Sequence, residues 1–582
     1  MYTHHNAQLR LTDVGQTVRL KGFASKKRDL GNLVFIDLRD THGIVQLAFD
    51  QDNPLLEMSA SIKNETVLSV EGLVRERSSK NPTLPTGDIE IAVSACTILA
   101  HAKQPPMIIH DETDALEEVR LNYRYLDLRR PYLQSMFKLR HTVTQAVRDF
   151  LNTHDFLEME TPILTKSTPE GARDYVVPSR LHAGEFYALP QSPQMFKQLL
   201  MIGGFEKYYQ IARCFRDEDL RSDRQPEFTQ IDIEMSFIDQ EDVLNLSENL
   251  IKHVMHAIKG ITFDKPFQRL TYAEAMHRYG SDKPDTRFAL ELIDLKDVFE
   301  KTSFQVFQNV LQNGGSLIGI IVPQGASKFS RKELDALNET AKRYGAKGLA
   351  FLKWVNELSG PLSKFVSETE LDHLSQSHGF KDGDLLLCVA DQTATALISC
   401  GQIRLELGKA LDLINPNVFD FTWITDWPMF EFDAADGRHY ALHHPFTRVQ
   451  DQDKHRLQET PTEVLAYAYD LVAQGQELGG GSLRIFDPAM QADVFEILGL
   501  DEAAQKEKFG FFIEALSYGT PPHGGIAFGL DRLVMMLGGT KNIRDVILFP
   551  KTTSAQCLMT QAPSALDETA LKALHLERKA KG

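Results

Sequence analysis

Along residues 17–100, apolar and polar positions form five short strand-like runs: VRLKGFAS, NLVFIDLRD, GIVQLAFD, ETVLSVEGLVRER and DIEIAVSACTIL. A period of two marks a strand with one buried face, and Val34-Phe35-Ile36-Asp37-Leu38 shows it plainly. Five strands in so short a stretch predict a small closed barrel, for which the OB-fold is the economical choice. Pro105, Pro106 and the acidic residues up to Glu118 predict a hinge. The period then changes. Met136, Leu139, Val143, Ala146, Val147 and Phe150 recur at helical spacing and predict a helix over 133–153 with one apolar stripe. FLEMETPIL predicts a strand ending at Pro162. Between 286 and 420 the texture shifts, with helical SRKELDALNETAKRYG and strand-like GDLLLCVAD, and aromatic-rich strands resume at FTWITDWPMFEF. The pattern predicts an α+β protein with six segments: a barrel (1–105), a hinge (106–130), a larger domain split into 131–285 and 421–555, an α/β insertion (286–420) and a C-terminal extension (556–582).

The chain of 582 residues is 42% hydrophobic and 25% charged, ordinary for a globular protein. Its formal charge of −17 argues against a generic polyanion binder, so any nucleic-acid contact needs a local basic patch. The barrel supplies one: residues 18–35 hold Arg19, Lys21, Lys26, Lys27 and Arg28 against Asp29. Five scattered cysteines without a CxxC pair fit neither a disulfide framework nor a zinc knuckle, and suit a reducing compartment. With no run of 18 apolar residues and no apolar leader, a soluble cytoplasmic protein without membrane contact is expected.

Chemistry collects in three distant segments: FRDEDLRSDRQPEF (215–228), QELGGGSLRIF and HGGIAFGLDRLVMML. Glycines let a backbone approach a ligand closely, and arginine forks hold phosphate or carboxylate at two points. No segment is a P-loop or a Rossmann fingerprint. Each glycine run alone reads as a tight turn or bulge; together they predict one composite nucleotide site. Taken as bare residues, Asp470 is a surface carboxylate, Lys197 a solvent-facing helix residue and Phe35 a core aromatic. Asp470 and Glu477 are expected to lie across a helix end at Gly475.

Over essentially its full length the chain resembles the bacterial-type aspartyl-tRNA synthetases, subclass IIb of the class II aminoacyl-tRNA synthetases. The helix 133–153 with FLEMETP resembles the first class motif, FRDEDLRSDRQPEF the second and GIAFGLDR the third. VPQGASKFSRKELD and YGAKGLAFLKW resemble the family's GAD-type insertion, and STPEGARDY, ALPQSPQMFKQLL, HHPFT and YGTPPHGGIAFGLDR add family detail. The resemblance implies an OB-fold anticodon domain, an antiparallel catalytic sheet and a homodimer. It implies that L-aspartate is activated by ATP with Mg²⁺ to aspartyl-adenylate and transferred to the 3′-terminal adenosine of tRNA(Asp).

It also implies the site. Arg216 and Arg532 are the catalytic arginines, with Asp217, Glu218, Gln225, Phe228, Glu477, Gly529, Leu530 and Asp531 also at the nucleotide. Asp470 and Glu477 hold Mg²⁺. Lys197 and Arg484 neutralise the aspartate side chain, while Glu170, Ser192, Gln194 and Asp232 hold the α-ammonium or close a loop. His443, or equally His444, senses the closed state. Arg28, Leu30, Phe35, Gln46 and Lys80 meet the anticodon. Lys26-Lys27 departs from the arginines common there, which keeps phosphate attraction but not two-point base contact. Leu30 in RDLG and Lys80 in RERSSKNP stand where tRNA(Asn)-accepting relatives tend to carry a histidine and a small residue, implying discrimination against tRNA(Asn). The alternative is an enzyme charging both tRNAs. Asparaginyl- or lysyl-tRNA synthetases and a single-stranded nucleic-acid-binding protein with a dead catalytic remnant are the rival readings; the insertion and the Lys197/Arg484 pair speak against the two synthetases, and intact Arg216, Glu218, Glu477 and Arg532 against the binding protein.

Overall fold

A computed structural model of the chain describes residues 2–167 and 171–579. The chain forms two compact units. One comprises Met1–Thr144, Glu218–Pro226 and Val534–Gly582, and the other Gln145–Asp217 and Glu227–Leu533.

In the first unit the strands Thr17–Asp29, Val34–Arg39, Ile44–Phe49, Val67–Glu76 and Ile89–Ala100 close into a barrel. The third strand runs parallel to the fifth and every other pairing is antiparallel. Alternation decides the two faces: Val34, Ile36 and Leu38 are sealed in the core with Val18, Leu20 and Leu47. Phe35 and Asp37 therefore point outward. A buried ion cluster carries the barrel into the following segment. Glu65 accepts from Arg39 at 2.6 Å and from Arg129 at 2.8 Å, and Arg129 lies over the Phe23 ring at 4.2 Å.

The second unit is built on an eight-stranded sheet. Its order is Gln268–Thr271, Phe421–Thr425, Ala468–Ala473, Gln476–Leu483, His523–Gly529, Glu227–Ser236, Lys207–Phe215 and Leu157–Glu158. Only the two outermost pairings are parallel. The central strands are buried on both faces, as in Ala468–Ala473, where all six residues are buried. The strand expected through Pro162 is only Leu157–Glu158, because pairing with Lys207–Phe215 stops once Met159 N–H has bonded the Tyr209 carbonyl. The helix ahead of it runs Pro131–Thr153, and of its stripe Met136, Val143, Ala146, Val147 and Phe150 are buried within the chain.

A separate five-stranded sheet lies between Ile293 and Ser359 and at Leu385–Asp391. Leu385, Leu387 and Val389 join one apolar cluster while Leu386 and Cys388 join another, so both faces of this sheet are covered. Ser330 and Glu333 form a capping box that starts the helix Arg331–Arg343. Among the described residues no helix is long and apolar enough to cross a membrane.

Candidate active site

Two clusters of buried charge lie on the eight-stranded sheet. The first begins with the strand Glu227–Ser236, in which Asp232 and Glu234 sit two residues apart and share a face. Both carboxylates are fully buried. A buried carboxylate needs a cation, and two arrive from elsewhere in the sequence. Lys197, on the helix Gln194–Ile202, donates to Asp232 Oδ1 at 2.6 Å and lies 3.3 Å from Glu234 Oε2. Arg484 grips Glu234 with two parallel bonds of 2.9 and 3.0 Å, and its Nη1 donates to Ser482 Oγ and His444 Nε2, both at 2.7 Å.

Burial opposes ionisation of Glu234, but Arg484 and Lys197 hold its carboxyl down at about 2. For Asp232 burial outweighs the attraction of Lys197 and raises the carboxyl above its usual range. Arg484 uses four of its five N–H groups in these bonds, whereas Lys197 donates one to Asp232 and holds Glu234 as an ion pair. Asp232 Oδ2 is buried with no hydrogen-bond partner among the described residues. Lys197 and Arg484 are both 2% exposed, so Lys197 is a core residue and not a solvent-facing one. Gln194 donates to Gln198, and its own N–H is received by Ser192 Oγ.

The second cluster lies on a hairpin one strand away, beyond His523–Gly529. Ala468–Ala473 and Gln476–Leu483 are joined by Gln474-Gly475, both left-handed, which replaces the helix end expected at Gly475 with a tight β-turn. Asp470 stands opposite Gly480, and a Cβ on Gly480 would lie 2.5 Å from Asp470 Oδ1 and 3.4 Å from Glu477 Oε1. The glycine run is thus a strand, not a turn, and makes room for carboxylates. Asp470 is buried, not at the surface, and its Oδ1 has no hydrogen-bond partner among the described residues. Burial and the nearby Glu477 push its carboxyl well up. Burial also opposes the charge on Glu477, yet Lys283 and Arg532 hold that carboxyl below its usual range. Lys283 Nζ lies 3.4 Å from Glu477 Oε2.

Around these clusters the third segment folds as expected, a strand His523–Gly529 leading into the helix Leu530–Gly538. Leu530 is buried, Arg532 donates to the Glu477 carbonyl, and Asp531 accepts from Thr229 N–H at 2.8 Å. Asp531 therefore braces the sheet. Arg216 lies over the Phe228 ring at 5.1 Å, and its Nε is buried without a partner among the described residues. Asp217 lies 3.7 Å from Arg173. In the first unit Glu218 pairs with Arg224 at 3.4 Å, and Gln225 exchanges two bonds with the Lys551 backbone. Of the histidine pair, His444 touches Arg484, whereas His443 packs edge-on against Trp427 with a buried, unpartnered Nε2. Burial depresses His443 to about 4 and holds His444 well below its ordinary range. Glu170 lies outside the described residues.

On the barrel, Phe35 is half-buried on the outer wall beneath Arg28 at 5.4 Å, so it is not a core aromatic. Gln46 Oε1 receives Arg28 and Arg77, while its Nε2 donates to Glu90 at 2.7 Å. The basic patch is smaller than the composition implies, because Arg19 is bonded to Glu71 at 2.7 Å. Lys80 is likewise paired with Glu76 at 2.7 Å, and Leu30 is 68% exposed. Sequence reasoning missed Glu234, Ser482, Gln198 and Lys283. An acid two positions from Asp232 in the apolar run QIDIEMS was the available signal for Glu234; nothing local marks the others.

The model of the class II tRNA synthetases for D, K and N matches residues 116–553, and that of the OB-fold nucleic acid binding domain matches 18–99. The chain is 56% identical over 582 residues to an aspartate–tRNA(Asp/Asn) ligase of Anoxybacillus flavithermus, covering 99% of this chain and 98% of the other. The chain belongs to the bacterial-type aspartyl-tRNA synthetases, subclass IIb. An aspartate–tRNA ligase of Bacillus licheniformis is 54% identical, over all of this chain and 99% of its own. Among solved structures, an aspartyl-tRNA synthetase described as putative from Leishmania major has the same fold, with a TM-score of 0.59 at 20% identity over 94% of this chain and 93% of that one. Membership makes this chain an ATP-using aminoacyl-tRNA synthetase with aspartate–tRNA ligase activity.

Proposed function

We propose that this synthetase selects L-aspartate through the Lys197/Asp232/Glu234/Arg484 quartet and esterifies tRNA(Asp) in preference to tRNA(Asn). The observation that carries the amino-acid reading is the set of groups left over inside a satisfied, buried cluster. Spare N–H groups on Lys197 and Arg484 suit a side-chain carboxylate, and Asp232 Oδ2 suits an α-ammonium. Asparagine would turn an amide N–H₂ toward these donors and leave buried groups unpaired, which a polar pocket rejects strongly.

The α-carboxylate is already ionised, so no side-chain base is required; alignment and charge neutralisation at the α-phosphate are the work. Arg216 and Arg532 supply that charge and Phe228 the adenine platform, as the Arg216–Phe228 stack supports. Asp470 and Glu477 offer the hard oxygen ligands that suit Mg²⁺, with the unpartnered Oδ1 and the room at Gly480 in support. Bound there with ATP, the ion would neutralise phosphate charge. Aspartate- against asparagine-dependent pyrophosphate exchange tests the pocket: equal rates for the two amino acids overturn the assignment.

For the tRNA, Phe35 and Arg28 on the outer barrel wall suit stacking on single-stranded bases. Leu30 offers no hydrogen-bond donor to a uracil edge, which favours tRNA(Asp), whose anticodon ends in C. Lys80, tied to Glu76, adds little to that choice. The second reading, charging of both tRNAs, is favoured by the names of relatives such as the Anoxybacillus ligase. Aminoacylation of the two tRNAs side by side decides, and similar kcat/KM values overturn discrimination.

Assembly as a homodimer is supported by Leu157, Ile163 and Leu164, all exposed beside the edge strand of the sheet. The stripe on Pro131–Thr153 is consumed inside the chain, so these residues carry the contact. Leu164→Glu should give monomers by light scattering, and a dimer in that variant would count against this surface. Five free cysteines suit a reducing cytoplasm.

A further inference from the structure

Lys283 approaches the acidic hairpin from a segment that precedes the five-stranded sheet. Its ammonium lies 3.4 Å from Glu477 Oε2 and 3.6 Å from Asp282 Oδ2, and the side chain is 40% exposed. The backbone that carries it is held unusually firmly. Arg404, 1% exposed on the helix Thr393–Ala410, donates to the carbonyls of Asp285, Phe288, Ala289 and Leu290 at 2.8–3.3 Å. Its guanidinium also lies 4.0 Å from the Phe288 ring centre and 4.8 Å from that of Tyr279. At the same contact Gly280 and Gly401 meet backbone to backbone, since a Cβ on Gly401 would lie 2.5 Å from the Gly280 carbonyl. Asp285 pairs with Arg287 in a two-point bond, which removes it as a competing acid for Lys283. The segment therefore fixes where Lys283 starts, and the flexible side chain alone decides where its charge ends.

Without a cation, Asp470 and Glu477 would be two neighbouring acids on either side of Gly480, an arrangement that repels itself. We propose that Lys283 is the internal counter-cation of this pair and competes with a divalent ion for it, so that the pair takes the ion only as Lys283 swings aside. This rests on reading Asp470 and Glu477 as the metal ligands. The ammonium pairs with Glu477, while Asp470 Oδ1 is left without a hydrogen-bond partner among the described residues. A divalent ion satisfies both acids. An ammonium freed from Glu477 would remain a mobile positive charge available to the phosphates of ATP or to pyrophosphate.

The test is Mn²⁺ binding to the full chain, followed by the paramagnetic resonance of free Mn²⁺ without nucleotide. Lys283→Met should tighten binding at least tenfold over the unmodified chain, and Lys283→Arg should restore the weaker value. A merely structural lysine would not move this affinity. Equal Mn²⁺ affinity in the unmodified chain and Lys283→Met overturns the counter-cation. Glu477→Gln in the Lys283→Met background should lose the gain, and Mn²⁺ bound equally well there places the ion elsewhere and overturns the metal reading itself. Absence of Mn²⁺ binding in every variant, even with ATP added, overturns both.

Discussion

The buried Lys197/Asp232/Glu234/Arg484 quartet and the outer barrel wall around Arg28 both gather charged and polar groups, yet under opposite conditions. In the quartet every charge is sealed from water and two cations balance two acids. On the barrel the charges are more open: Arg28 is exposed and Arg75 and Asp50 are bonded in the half-exposed range, although Gln46, locked between two arginines and Glu90, is buried with that acid. Dry charge is expensive to mismatch, so it selects strictly for one small substrate. Wet charge is weak and screened, so stacking must add to it and specificity is spread over several residues.

The largest effect that should separate the two regions is the loss of one quartet cation. Arg484→Leu or Lys197→Leu leaves a substrate carboxylate and a buried acid unpaired, costing about 3–5 kcal/mol. Aspartate-dependent pyrophosphate exchange should fall by about a thousandfold while ATP still binds; exchange within threefold of the unmodified chain would break the contrast. Next comes pH. His443, His444 and His523 are all held below their ordinary range, first of all by burial. A histidine kept neutral in the fold binds its proton more readily when unfolded, so its contribution is complete above its unfolded pKa of about 6.5 and is lost as pH falls toward its folded value. For His443, held at about 4, urea unfolding should show a loss on the order of 3 kcal/mol between those values, and His443→Gln should flatten that slope.

Smaller changes belong to the barrel. Phe35→Ala should raise KM for tRNA about tenfold or more, the cost of one lost base stack at about 1–3 kcal/mol, with pyrophosphate exchange unchanged. Arg28→Ala should lower the salt dependence of tRNA binding, whereas Arg484→Leu should not, and reversal of that order would erase the distinction between dry and wet charge. Smallest is Leu30→His, which should narrow a preference for tRNA(Asp) of about tenfold, or about 1.4 kcal/mol, measured as the ratio of kcat/KM for the two tRNAs.

How far each region could be read from sequence follows the same division. The barrel wall has one wet face, so alternation in Val34-Phe35-Ile36-Asp37-Leu38 makes the strand legible, although Phe35, read by its residue type as a core aromatic, lies on the outer side between Val34 and Ile36. The central strands of the catalytic sheet are dry on both faces. Ala468–Ala473 is buried throughout, and a short continuous apolar run has no period to tell a strand from a helix. That is why the turn at Gly475 was expected to be a helix end. Lys197 and Arg484 came from family resemblance, because a lysine in FKQLL looks exposed until Asp232 and Glu234 are seen across from it. Their meeting depends on pairing between strands and helices hundreds of residues apart, as in the 250-residue separation of Glu234 and Arg484. The strand at Leu157–Glu158 was overextended for a related reason: composition favoured extension, but its partner strand ends the ladder early.

The parallel pairing of Gln268–Thr271 with Phe421–Thr425 has a consequence for how this chain tolerates change. The chain leaves the large sheet and returns to it on adjacent strands, so everything in 272–420 is, to the sheet, one closed loop. Closure entropy rises only with the logarithm of loop length, at about 0.6 kcal/mol for each doubling. Lengthening or shortening the excursion beyond its Arg404-held base therefore costs the sheet almost nothing, and the register of Thr271 against Thr425 survives it. A lineage is free to remodel that excursion wholesale while the catalytic strands on either side stay in step.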